Sequence, residues 1–202
     1  LFGILDRLLI KPQISSYLFF VMIIYIFLEH RLSAAVTKKI YWLPVFFLLW
    51  ANMHMGVLAG IGIFAVFLLS EFVVLLKPAF LGDSCPPDIR KRKLVILTAA
   101  FAASLLVLLL NPHGIHTFAY VYSHLQMKMI EEVFEWRPPL DSHFDGTIFR
   151  YVYYSFLAGA LIILLYAIRK KDLFAGLLTA IFVFYSFRSS RFSIDFMIIS
   201  SI

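Results

Sequence analysis

The stretch WANMHMG, residues 50–56, decides the fold. It sets an asparagine, a histidine and a glycine inside an apolar run, residues 41–76, that carries no charge before Glu71. Polar groups at membrane depth are costly unless they are buried in protein or line a wet cavity. As a single helix the run would measure about 54 Å at 1.5 Å per residue, against a hydrocarbon core of about 30 Å. It is too long to cross once. It therefore reads as two spans meeting near residues 52–56, where Asn52 and Gly56 let the backbone turn and His54 sits at the vertex.

Composition agrees. The chain is 62% hydrophobic and only 15% charged, with 22 phenylalanines and a mean hydropathy of +0.90, values that belong to an integral membrane protein. It opens on Leu1 and stops at Ile202 inside an apolar run that starts at Phe192, so residues 1–202 read as one transmembrane domain, incomplete at both ends. The single cysteine, Cys85, allows no intrachain disulfide. A net charge of +6 raises nucleic acid as a partner, but the cations fall mainly in short loops between apolar spans, where they act as topology signals, so no nucleic acid is expected.

Outward from the central turn, the pattern predicts an all-α, polytopic transmembrane bundle of about seven spans: residues 14–28, 41–51, 57–76, 94–110, 148–168, 173–187 and a last one after Arg191. The span 41–51 is short enough to be partly re-entrant. Residues 77–93 read as a loop carrying Pro86, Pro87 and the RKRK cluster at 90–93. Asn111-Pro112 followed by Gly114 is a helix breaker. In residues 115–136, Ile115, Phe118, Tyr122, Leu125, Met129 and Val133 fall at helical spacing, which predicts an amphipathic helix on the outer surface. Residues 137–146, RPPLDSHFDG, read as loop.

With two spans in 41–76, about 11 of the 18 lysines and arginines collect on one side, which makes that side cytoplasmic. WANMHMG, NPHG, EWRPP and RSSR then share the opposite, extracytoplasmic face, and the inner loops read as plain basic anchors.

Each polar group has two readings. His54 with Asn52 suits a general base or a substrate-orienting pair; the plainer reading is a polar turn whose histidine caps its own backbone. Asn111, His113 and His116 follow the same logic, with helix termination as the plainer account. His113 and His116 are three apart, but no HExxH pattern or matched carboxylate accompanies them, so no metal ligands are assigned. Glu135 beside Trp136 offers a carboxylate and an aromatic face for a sugar ring, or else an interfacial tryptophan with a solvated acid. Arg188 and Arg191 break the positive-inside trend and offer forks suited to phosphate; the alternative is snorkelling, with Arg191 paired to Asp195. Glu71, six residues before Lys77, reads as a surface acid.

The order WANxHxG, NPxG, an EW-P element and RxxRF before a last apolar run resembles bacterial polytopic proteins related to the GT-C class of glycosyltransferases, such as the dolichyl-phosphate-mannose protein mannosyltransferase-like proteins. The resemblance spans Lys11 to about Phe196. It implies a helical bundle in the bacterial cytoplasmic membrane, an active site facing outside, a polyprenyl-phosphate sugar as donor, and an envelope glycan, lipid or protein as acceptor, with a divalent metal as an optional cofactor. The catalytic acid of that class lies in an early outer loop that this sequence does not include, so none is carried over.

The function expected on these grounds is sugar transfer from a polyprenyl-phosphate donor, with Arg188 and Arg191 toward the phosphate and Asn52, His54, Asn111, His113, His116, Glu135 and Trp136 toward acceptor or sugar. One rival is a transporter or lipid flippase with a discontinuous helix at 52–56. Another is a non-catalytic membrane scaffold.

Overall fold

A computed structural model describes residues 13–77, 86–125 and 136–200. Among them there is no β-strand, and the helices are α1 (Gln13–Leu32), α2 (Leu43–Met53), α3 (Val57–Leu76), α4 (Pro87–Val107), α5 (His116–Leu125), α6 (Ile148–Lys170), α7 (Leu173–Ser186) and α8 (Ser190–Ser200). Short 3-10 turns precede α2 (Lys38–Trp42), extend α4 (Leu108–Leu110) and interrupt the segment before α6 (Ser142–Phe144). Four elements are long and apolar enough to cross a membrane: Gln13–Leu32, Val57–Leu76, Pro87–Leu110 and Ile148–Lys170. Two of the other expected spans form helices of 11 residues (α2) and 14 residues (α7), each shorter than a bilayer crossing, and the last begins as α8, described through Ser200. Of the expected surface helix, α5 is seen as helix; residues 126–135, Glu135 included, lie outside the described residues.

Among the described residues, backbone contacts mark two compact units, 13–114 with Lys170–Phe174, and 115–169 with 175–200.

In the first unit the long run does turn where its length demands. α2 ends at Met53, His54 is extended (φ −159°, ψ 143°), and α3 starts at Val57. α4 packs against both α2 and α3, and α1 against the same two. The core is an aromatic interlock. Trp50 stacks on Phe19 at 5.2 Å and meets Phe20 edge-on at 5.1 Å, while Phe27 stacks on Phe67 at 4.5 Å. Such pairs contribute roughly 0.5–1.5 kcal/mol each beyond area burial. Helix association in lipid depends on close van der Waals fit, so small residues matter at the contacts. A side chain on Gly60 would overlap the Trp50 ring. The outward faces are as apolar as the core, with Leu18, Leu49, Leu69, Phe72, Val95 and Leu106 all exposed, as lipid-facing helices require.

The RKRK cluster is not loop. Pro87 starts α4, so Arg90–Lys93 occupy its first turns, and proline at the helix start leaves no lost hydrogen bond. Lys93 Nζ donates to the carbonyls of Ser33 (2.6 Å) and Arg31 (3.4 Å), at the C-terminal end of α1. Ser16, near the other end of α1, binds His54. His54 and Lys93 therefore sit at opposite ends of this unit, separated by the 15 residues from Ser16 to Arg31, about 22 Å of helix.

Arg31 is no plain anchor. It is buried, with Nε 2.8 Å from Glu71 Oε1, Nη1 3.0 Å from Asp172 Oδ1 and Nη2 3.0 Å from Ser70 Oγ. The rings of Phe67 and Phe174 each lie 5.2 Å from its guanidinium carbon. Glu71 is thus a partner in a buried ion cluster and not a surface acid. Asp172 sits in the α6–α7 turn, just after Lys171, whose φ of 56° is left-handed and strained for a side-chain-bearing residue.

In the second unit, α6 buries Tyr153, whose hydroxyl lies 2.8 Å from Ser186 Oγ of α7 and whose ring meets Phe196 of α8 edge-on at 6.3 Å. One residue ties three helices.

Candidate functional site

The residues singled out in WANMHMG serve the turn. Asn52 Nδ2 donates back to the Leu48 carbonyl at 2.8 Å. His54 Nδ1 accepts from the Gly56 backbone N–H at 3.0 Å and lies 2.7 Å from Ser16 Oγ. Since the backbone N–H can only donate, Nδ1 carries the lone pair, and the Ser16 hydroxyl donates to it as well. The Ser16 oxygen in turn accepts the Trp50 indole N–H at 2.8 Å. A side chain on Gly56 would overlap Ser16 Oγ and come within 2.9 Å of His54 Nδ1. This is a closed joint between α1, α2 and α3.

NPHG is likewise a helix end. Asn111 Nδ2 donates to the Leu108 carbonyl at 2.5 Å, its Oδ1 accepts the His113 N–H at 2.7 Å, and its carbonyl accepts the Gly114 N–H at 3.0 Å. Gly114 has φ +50°, the left-handed conformation that favours glycine after a helix. His113 and His116 are exposed. Among the described residues no group of three or more His, Cys, Asp or Glu is placed to hold a metal ion.

The second unit does bring predicted residues together. The Arg191 guanidinium lies over the Trp136 ring, 5.2 Å from its centroid, and Phe192 meets the same ring edge-on at 5.6 Å. The backbone N–H of Ser190 donates to the Arg137 carbonyl at 2.7 Å, fastening the start of α8 to the segment after Trp136. Arg188 is exposed and lies 5.9 Å from the Phe184 ring centroid, so it does not join Arg191 on the tryptophan.

Beside this pair stands a polar cluster that the sequence, read as loop, did not announce. Asp141 caps the 3-10 turn, accepting the His143 N–H at 2.9 Å, and its Oδ1 lies 2.6 Å from His143 Nδ1. Arg137 Nη1 lies 2.6 and 2.8 Å from the two ring nitrogens of His143. The hydrogen bond from the His143 backbone, then that from its ring, hold the Asp141 carboxyl below the usual carboxylate range, with the Arg137 charge adding to the effect. Behind them Arg150, at the start of α6, pairs with Asp145 at 2.9 Å and donates to the Asp141 carbonyl and to the Tyr154 hydroxyl (3.2 Å). The signal available in sequence was RPPLDSHFDGTIFR itself, where an acid and then an arginine stand on either side of one histidine.

Chemically, this arrangement offers a cation on an aromatic plane, a second cation against an imidazole, and a carboxylate that stays ionised. Comparison with protein-family models, with curated proteins and with solved structures found no match.

Proposed function

We propose that this chain is part of a membrane glycosyltransferase that moves a sugar from a polyprenyl-phosphate donor to an envelope acceptor on the extracytoplasmic face of a bacterial cytoplasmic membrane. The observation that carries it is Arg191 on the face of Trp136, 5.2 Å from the ring centroid. Guanidinium offers a planar fork for phosphate oxygens, and an aromatic neighbour holds that fork by cation–π attraction without neutralising it. The four long apolar helices supply the lipid setting in which such a donor resides.

In the reaction, the acceptor hydroxyl oxygen bonds to the anomeric carbon as its proton passes to a general base. The bond from that carbon to the phosphate oxygen breaks, and its electron pair stays on the phosphate. Charge grows on that phosphate, so a fixed cation there lowers the barrier. Asn52, His54 and Asn111 take no part in this reading, because their side chains bond within their own turns.

Donor binding by the full-length protein in detergent tests the reading. Arg191→Ala is expected to weaken binding by roughly 1.5–3 kcal/mol, the worth of a hydrogen bond to a charged group, and Arg191→Lys by less. Unchanged affinity in a folded Arg191→Ala protein contradicts it.

A further inference from the structure

We propose that Arg137 is a second guanidinium ligand for the same phosphate, acting beside Arg191; this rests on the reading of the site just given. The starting observation is an orphan donor. Arg137 Nε is buried and has no hydrogen-bond partner among the described residues. Buried N–H groups in native proteins are nearly always paired, and an exception marks strain or an absent ion or ligand.

The backbone brings residue 137 next to the segment that carries the first cation. The Arg137 carbonyl accepts the N–H of Ser190, the residue before Arg191, and Trp136, the residue before Arg137, carries the Arg191 guanidinium on its ring. The two arginines are thus adjacent through two separate links.

The charge of Arg137 is only partly offset: Nη1 lies against the His143 ring, and no carboxylate among the described residues is within hydrogen-bond distance of it. Its carboxylate contact is Asp141 Oδ1 at 3.9 Å, beyond hydrogen-bond distance, and that oxygen already accepts from His143. Arg150 makes the contrast. Its Nε is also buried and unpartnered, but its guanidinium sits 2.9 Å from the Asp145 carboxylate and donates to Tyr154 and the Asp141 carbonyl as well. Arg150 is committed to its loop. The Arg137 side chain is 30% exposed, so part of it is open to an oxyanion from outside.

Two guanidinium groups on one phosphate suit a ligand whose charge increases in the reaction. The donor is a phosphodiester with one negative charge, and the departing prenyl phosphate is a monoester that carries more. Arg137 therefore favours the monoester, the species that the transition state approaches.

The test uses the full-length protein in detergent, with farnesyl phosphate as the anionic probe and farnesol as its uncharged counterpart. Arg137→Gln is expected to weaken farnesyl phosphate binding about 10- to 100-fold and to leave farnesol binding unchanged. Arg137→Gln combined with Arg191→Ala is expected to lose less than the two single losses together, because the groups share one phosphate. Wild-type affinity in Arg137→Gln, with Arg191→Ala impaired, overturns the role of Arg137 and leaves the phosphate site standing. Wild-type affinity in both overturns the phosphate site itself. Should Arg137→Gln fail to fold, Arg137→Lys decides: a loss of about tenfold supports the role, because lysine keeps the charge without the fork, and unchanged affinity overturns it.

Discussion

Arg31 and Glu71, forty residues apart in the chain, meet at 2.8 Å through Nε and Oε1, and the guanidinium is buried between two phenylalanine rings. Every arm of that fork has a partner, with Asp172 and Ser70 taking the rest. Removing one member of a buried pair leaves the other uncompensated, which costs roughly 3–5 kcal/mol. Arg31→Ala is therefore expected to be severely destabilising, and Glu71→Gln less so, because Asp172 still balances the cation. Denaturant unfolding of the protein in detergent measures both.

The Ser16–His54–Gly56–Trp50 joint predicts structural damage without loss of chemistry. Ser16→Ala leaves the buried Trp50 indole N–H without its acceptor and is expected to cost roughly 1–3 kcal/mol. Gly56→Ala and Gly60→Ala force overlaps with Ser16 and Trp50 and are expected to cost roughly 1–3 kcal/mol each. Gly62, where an added methyl meets nothing within 4 Å, is expected to gain up to about 1 kcal/mol as alanine, from helix propensity. On the proposed reading, transfer activity per folded molecule is expected to stay at the wild-type level in each case; His54→Ala belongs to this group.

The turn at His54 was legible because a length argument forced it: 36 residues cannot cross a bilayer once, and Asn and Gly marked where the chain turns back. The alternation of ends followed, and His54 and Lys93 do lie at opposite ends of α1. The Arg31 cluster was not legible. Its members lie on three separated segments, and charge counting treats an arginine in a loop and an arginine in a buried pair alike; a lone Glu71 in an apolar run was the clue that it had a partner. The Trp136–Arg191 contact was half legible, since both residues stood out locally but only folding brings them together. Asp141 and His143 looked like ordinary loop polarity, and their pairing comes from a capped 3-10 turn.

Asp141 gives a pH prediction. Its carboxyl is held below the usual carboxylate range by His143, so the folded state binds its proton less readily than the unfolded chain does. The stabilisation is present above the unfolded carboxylate pKa, about 3.9, and is lost as pH falls through the lower folded value. Asp141→Asn is expected to remove that contribution to the acid slope. Unfolding curves of the two proteins from pH 6 to pH 3 should converge at the acid end; parallel curves contradict the assignment.

The left-handed Lys171 offers a stabilising change. Its φ of 56° costs roughly 1 kcal/mol or more for a residue with a side chain, so Lys171→Gly is expected to raise the unfolding midpoint, net of the greater freedom of glycine in the unfolded chain. A lowered midpoint would mean that the Lys171 side chain contributes more than its backbone costs.

The central claim is that Arg191, held on Trp136, stabilises a phosphate leaving group. The direct measurement is release of prenyl phosphate from a prenyl-phosphate-linked sugar by the full-length protein in detergent or liposomes with an envelope acceptor present, comparing wild type with Arg191→Ala at matched folding. The account predicts turnover by the wild type and a fall of about 10- to 100-fold in the variant. Equal turnover in the two, or none by the folded wild-type protein with such donors, would contradict it.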